Sequence, residues 1–400
     1  MKSADGPAAV APAASPPIVY VPGIKAVTLV HEATGQTTYG DAGSFMNFWS
    51  PDIVPRAEWT GPDGSGPQAS DGLVAGELLE DVAFPLGLGF KLTVTKLVEK
   101  FVTCCKGRAE RLGTTYHSFM YDWRREIPET IDLLEEYVEA VVAKSGQTVQ
   151  IVGHSLGALL VSVLIGRRPD LVHSVLVIAP GCHTDVGFLE EISLQGKYSP
   201  PRTANSTGYN STMLSPTMWN RCPGPNQFWP RHGVPASDGG PPLQRPDGSP
   251  IDMNFYRLED YKKYRLGIYH PLSGVEVTAE LEVFIRGMLW RCERFRESID
   301  SLDLSATEVP VRCMVSLCKD TPVGFTIDED HPEDHVRWRE PRVARGDGRI
   351  SVHAIAKRYM KIPYREVVST ELNHFMCITD TAKIEILLDK LLDDGAVAGR

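Results

Sequence analysis

Residues 148–179 read TVQIVGHSLGALLVSVLIGRRPDLVHSVLVIA, and few folds accept such a run. The segments TVQIV (148–152) and VHSVLVIA (172–179) are rich in β-branched residues and show no apolar–polar alternation. Strands of that kind are covered on both faces. Between them, SLGALLVSVLIGRR (155–168) is apolar nearly all round, which predicts a buried helix. Strand, buried helix and strand at this spacing make a parallel βαβ unit.

The same rhythm extends in both directions. PIVYV (17–21) predicts a strand ended by Pro22-Gly23, and a turn-rich section follows to about residue 75. Mixed apolar pieces at 76–105 predict helix in part, and YHSFMYD (116–122) predicts a strand. A helix over 131–145 places Leu134, Tyr137, Val138, Val141 and Val142 on one face, with Gly146 as its stop. Beyond 181 the pattern breaks into a Pro/Gly-rich tract at about 200–250. An amphipathic helix follows near 278–298, striped by Leu281, Phe284, Ile285, Met288, Leu289, Cys292 and Phe295. Strands resume at 309–317 and 364–369, and a last helix spans 380–392 with Asp380 as N-cap. The expected architecture is one α/β domain with a doubly wound, mostly parallel sheet, formed by 17–180 and 309–395. A large inserted cap (181–308) would lie over the strands' C-terminal ends, where open α/β sheets bind ligands. The Ala/Pro-rich composition of residues 1–16 predicts a flexible lead-in.

Within the βαβ unit stands G-H-S-L-G (153–157), between strand and helix as a nucleophile elbow requires. Such a turn strains the serine backbone and lifts the hydroxyl above the sheet, and side chains at the −2 and +2 positions would collide with neighbouring chain. Gly153 and Gly157 occupy those two positions. The motif predicts the α/β-hydrolase fold with Ser155 as nucleophile.

A serine needs a base, and in this fold the partners follow it in the order acid, then histidine. His331 and His335 lie in the acidic stretch DEDHPEDH, which reads as solvated surface, and His353 reads as the start of a helix. His374, in STELNHFMCITD between the last strand and the last helix, overhangs the sheet edge and is the expected base. Two acids fit: Asp320, directly after the strand 309–317, and Asp347, in the Gly-flanked turn RGDGRI. Two backbone donors are needed for an oxyanion hole. Leu156 follows the nucleophile, and Ile24 follows Gly23 in VYVPGI, where glycine admits close approach to the substrate.

Composition narrows the partners. The 41 basic and 51 acidic residues leave a formal charge of −10 with no dense basic stripe, which argues against nucleic acid. None of the eight cysteines forms a C-x-x-C pair or a histidine-spaced set, so no metal is expected. No apolar run reaches the ~18 residues of a membrane span. No export signal is seen at the N-terminus, so free thiols and a cytoplasmic location are expected, and the sequons at Asn205 and Asn210 carry no meaning there.

Four pieces together, VPGI (21–24 with Val21), YDWR (121–124), GHSLG (153–157), and GDG with LNH (346–348, 372–374), carry a resemblance. The chain resembles, over about 17–395, the lecithin:cholesterol acyltransferase-like family of α/β hydrolases, which includes lysosomal phospholipase A2 and phospholipid:diacylglycerol acyltransferases. The resemblance implies Ser155 as nucleophile, His374 as base, and Asp347 rather than Asp320 as acid. It implies Ile24 and Leu156 as oxyanion donors, and YDWR as a brace between strand and loop. It also implies a cap for an acyl chain at 181–308 and transient lipid-surface contact by 45–100. The activity implied is hydrolysis of a lipid or lipid-like ester through an acyl-enzyme, without a cofactor; the alternatives are transfer of the acyl group to an alcohol, and lipid binding without chemistry.

Overall fold

The computed structural model describes residues 15–40, 70–79, 82–87, 90–95, 97–181, 185–186, 189, 222–269, 275–329, 341–356 and 361–398. Most of the lead-in, all of 45–69, both sequons, His331 and His335 lie outside the described residues.

β1 (Ile18–Val21) is buried at every position. The chain then forms a small antiparallel sheet of β2 (Val27–His31), β3 (Thr37–Tyr39) and β4 (Leu73–Leu78), and a hairpin of β5 (Val82–Gly87) and β6 (Phe90–Thr95). α1 (Leu97–Arg111) leads to β7 (Tyr116–Ser118), and α2 (Ile127–Ser145) leads to β8 (Val149–His154). Gly146 ends α2 at φ 69, donating its N–H to Val142 O, a left-handed stop that glycine adopts without strain. α3 (Leu156–Arg167) and β9 (Val172–Ile178) complete the βαβ unit. Then come α4 (Pro223–Asn226), β10 (Leu243–Gln244), α5 (Leu258–Lys263) and α6 (Ala279–Ser301), the last capped by the Thr278 hydroxyl on Leu281 N. β11 (Val311–Ser316), β12 (Lys319–Thr326), β13 (Arg342–Gly346), α7 (Val352–Ala356), β14 (Glu366–Thr370) and α8 (Thr381–Ala398) close the sequence of elements.

Among the described residues six strands make the main sheet, all parallel, in the order β14-β11-β9-β8-β1-β7. From β1 the chain steps to β7 on one side, then returns to lay β8, β9, β11 and β14 on the other. Winding therefore reverses between β1 and β8, and the crevice beyond their carboxyl ends is where such sheets place a ligand. The turn after β1 is Pro22-Gly23, and the turn after β8 carries Ser155. This is the α/β-hydrolase arrangement. α3 is buried from Leu156 to Ile165, in keeping with its uniformly apolar composition, and it packs against α2 and β8. α1 and α8 pack on one another, and α8 lies on β9.

Three expectations change in extent. The strand foreseen at 116–122 stops at Ser118, because the next residues turn away to bury Tyr121 and Trp123 against the chain after β1. Within 76–105 the described residues form strands up to Thr95 and a helix only from Leu97. Between the strands expected at 309–317 and 364–369 no further strand was foreseen, whereas β12 folds back after β11 and pairs antiparallel with β13. Within 181–308, residues 222–228 dock on 123–127, where Gly224 N bonds Arg124 O and the Gln227 side chain accepts from Ile127 N. A Cβ on Gly224 would lie 2.5 Å from Trp123 O, so only glycine permits that approach.

Candidate active site

The turn after β8 sets Ser155 at φ 53, ψ −116, a backbone region that L-residues rarely adopt. Close packing holds it there. A Cβ on Gly157 would lie 2.0 Å from Val21 O and 2.6 Å from Pro22 O, and one on Gly153 2.8 Å from Ala158 Cα. Ser155 N donates to Ile178 O at the end of β9, and Ser155 O accepts from Gly181 N. Gly23 belongs to the same contact, since a Cβ there would stand 3.0 Å from Ser155 Cβ. The Ile24 backbone thus follows directly on a residue touching the serine. Leu156 opens α3, whose first-turn N–H groups have no acceptor within the helix and carry the positive end of its dipole.

His374 leaves β14 in a short turn that Asn373 organises. The Asn373 side chain accepts from Phe375 N and Met376 N, and its carbonyl accepts from Cys377 N. His374 Nδ1 lies 2.7 Å from Asp347 Oδ2, and Nε2 lies 2.9 Å from Ser155 Oγ. A carboxylate only accepts, so Nδ1 carries the proton, and the bare Nε2 accepts from the Ser155 hydroxyl. All three side chains are buried.

The Asp347 turn is equally determined. Its Oδ1 accepts the N–H groups of Arg349 and Ile350 at 2.8 and 2.7 Å, and its carbonyl accepts from His374 N. A Cβ on Gly346 would meet Ile350 O at 2.3 Å, while Gly348 sits at φ 95 with its N–H on Thr321 Oγ1. Burial alone pushes the Asp347 carboxyl up; the facing His374 and the two backbone donors outweigh it and hold the group below its ordinary value. Asp320, the other expected acid, lies exposed on β12 opposite Arg345, and no described contact joins it to His374. His353 is exposed on α7.

Further residues support the site, YDWR among them. Tyr121 OH donates to Pro22 O at 2.8 Å, and Trp123 Nε1 to Val27 O, so YDWR grips the turn that carries Ile24. Arg124 lies buried between Asp71 and Asp122 and anchors that grip. Asp185, Ser237 and Ser351 form a buried knot that ties residues of the 181–308 stretch to the Asp347 turn. His154, the variable residue of the elbow, bonds the His374 carbonyl. Position 154 carried a signal, a polar ring at the end of an apolar strand.

No family model and no curated protein matches the sequence. Among solved structures the chain is similar to one in the crystal structure of the Tle4–Tli4 complex, with 11% identity, a TM-score of 0.54, and coverage of 96% of this chain and 99% of that one. At that identity the likeness is one of fold. Looser likenesses extend to the mature Bacillus licheniformis lipase BlEst2 (TM-score 0.35, 10% identity, 96% of each chain). Another is to naproxen esterase from Bacillus subtilis (TM-score 0.35, 8% identity, 95% of this chain and 84% of that one). Among the described residues no group of His, Cys, Asp or Glu is placed to hold a metal ion, and no helix is long and apolar enough to cross a membrane.

Proposed function

We propose that the protein is a serine ester hydrolase acting on a lipid or lipid-like carboxylic ester, with Ser155 as nucleophile, His374 as base and Asp347 as acid. The observation that carries this reading is the hydrogen-bonded chain Asp347–His374–Ser155, at 2.7 and 2.9 Å, on a strained elbow at the switch point of the sheet. In the forward reaction Ser155 Oγ attacks the ester carbonyl carbon while His374 Nε2 takes its proton. The N–H groups of Ile24 and Leu156 receive the oxyanion. The imidazolium, steadied by Asp347, then protonates the departing alcohol and leaves an acyl-enzyme. Water, activated by the same histidine, releases the acid; an alcohol in its place gives acyl transfer.

The lipid assignment rests on the resemblance to the lecithin:cholesterol acyltransferase-like family. The grip of YDWR on the turn after β1 agrees with the bracing role which that resemblance implies. In the same reading residues 181–308 cover the acyl chain. A fluorophosphonate probe tests the core of the proposal: it labels the wild type and leaves Ser155→Ala unlabelled. A folded wild type that neither labels nor turns over aryl esters of any chain length overturns it. A lipid panel with and without added alcohol separates hydrolysis from transfer.

A further inference from the structure

The proton moves that the mechanism requires repeatedly break the His374 Nε2–Ser155 Oγ bond, so that bond cannot be what keeps the base above the nucleophile. Something else must set their separation. His154 is buried at the end of β8, and its Nε2 lies 3.1 Å from the backbone carbonyl of His374. A carbonyl only accepts, so His154 Nε2 carries a proton and donates. The two rings stand 5.6 Å apart, centre to centre. On its other side the His154 ring meets the turn after β1, where a Cβ on Gly23 would lie 3.3 Å from Nδ1.

We propose that His154 is a positioning residue, clamping the His374 main chain to the elbow so that base and nucleophile keep their register through both proton transfers. The link is one peptide bond and one hydrogen bond long: Ser155 is covalently joined to His154, which holds the carbonyl of the residue bearing the base. The other bonds to His374 act elsewhere. Its N–H goes to Asp347 O, Nδ1 to Asp347 Oδ2, and the Cys377 thiol, 3.0 Å from the same carbonyl, belongs to the His374 turn itself. Among the described bonds to the His374 main chain, only that of His154 reaches the strand carrying Ser155. Without it, no described hydrogen bond ties the His374 main chain to the strand carrying Ser155, and the carbonyl is free to shift relative to the elbow.

The inference rests on the proposed ester chemistry, and the test separates the two. Steady-state kinetics on a short aryl ester are measured for wild type, Ser155→Ala, His154→Leu and His154→Gln, each checked for folding. His154→Leu fills the space without a donor; the expected result is a fall in kcat of about 10²-fold, the cost of roughly 1 Å of misplacement, with KM held within about twofold. His154→Gln returns an amide N–H toward the carbonyl and recovers kcat to within about fivefold of wild type. If His154→Leu does not fold, His154→Asn, whose amide stops short of the carbonyl, takes its place under the same criterion. A donor-free variant with kcat within threefold of wild type, or a Gln variant no better than the donor-free one, overturns the positioning role. Failure of the ester reading looks different: no turnover in the wild type, or turnover surviving Ser155→Ala.

Discussion

Gly157→Ala probes the contact between the elbow and the turn after β1. The added methyl would stand 2.0 Å from Val21 O and 2.6 Å from Pro22 O, whereas real Cβ atoms keep at least about 3.0 Å, so the chains must part by roughly 1 Å. Neither side yields easily. β1 is paired with both β7 and β8 and buried throughout, and α3 is enclosed over its first ten residues. Overpacking of this kind costs about 1–3 kcal/mol, and two carbonyls in the path place this case near the upper figure. Thermal denaturation should show Tm lowered by roughly 5 °C. The activity loss should be larger in proportion, because the displaced carbonyls directly precede Gly23 and Ile24. A shift of about 1 Å in an oxyanion donor lowers kcat/KM for an aryl ester about 10²-fold. Gly146→Ala is the control: its φ is 69 with nothing within 4 Å, so it bears left-handed strain of about 1 kcal/mol and leaves turnover alone. Should Gly157→Ala match Gly146→Ala in both Tm and kcat/KM, the steric argument for the elbow is wrong.

Tyr121→Phe deletes the hydroxyl bonded to Pro22 O and leaves that acceptor buried. A loss of about 1–3 kcal/mol in urea unfolding, and a kcat lowered about tenfold at unchanged KM, are expected. Asp347→Asn removes the acceptor facing His374 Nδ1 and should lower kcat about 10³–10⁴-fold, while Asp320→Asn, at an exposed site, should stay within about twofold; equal effects in an aryl-ester assay would contradict the assignment. Burial, assisted by the neighbouring His374, pushes the His154 imidazole down to about 4, against about 6.5 in an unfolded chain. Between those values the unfolded state binds a proton that the native state does not, so stability is full above pH 6.5 and falls toward pH 4, by at most about 3 kcal/mol. Asp347, held below its ordinary value, loses its contribution only at lower pH still. Urea unfolding from pH 7 to 4 should therefore show His154→Gln gaining on the wild type by up to that amount. Parallel curves would refute it.

Much of the molecule was legible from local pattern. The βαβ run at 148–179, the glycines flanking Ser155 and the stop at Gly146 express short-range rules of periodicity, close approach and left-handed φ, each contained within a few neighbours. Those rules also singled out Ser155 and His374, the two ends of one hydrogen bond. The acid was a different matter. Asp320 and Asp347 both follow strands near the sheet's edge, and residues 320 and 345 face each other across the β12–β13 ladder. Side chains alternate along a strand, so register turns Asp320 to solvent and points Thr321 inward onto Gly348 N, while the Asp347 turn presents its carboxylate to His374. Periodicity and turn rules alone leave both acids open, and the resemblance, through the Gly-Asp-Gly turn at 346–348, is what favours Asp347 in the sequence. The contacts of His154 and Tyr121 are not named by local pattern, since the partner of His154 lies 220 residues away and the carbonyl that Tyr121 holds lies 99 residues away. Order along the chain therefore determined the sheet, the elbow and the candidates. Only packing across the sheet brought the Asp347 carboxylate against His374 and set which buried donors hold the loops, because those contacts depend on strand register and on groups that become neighbours once the core has closed.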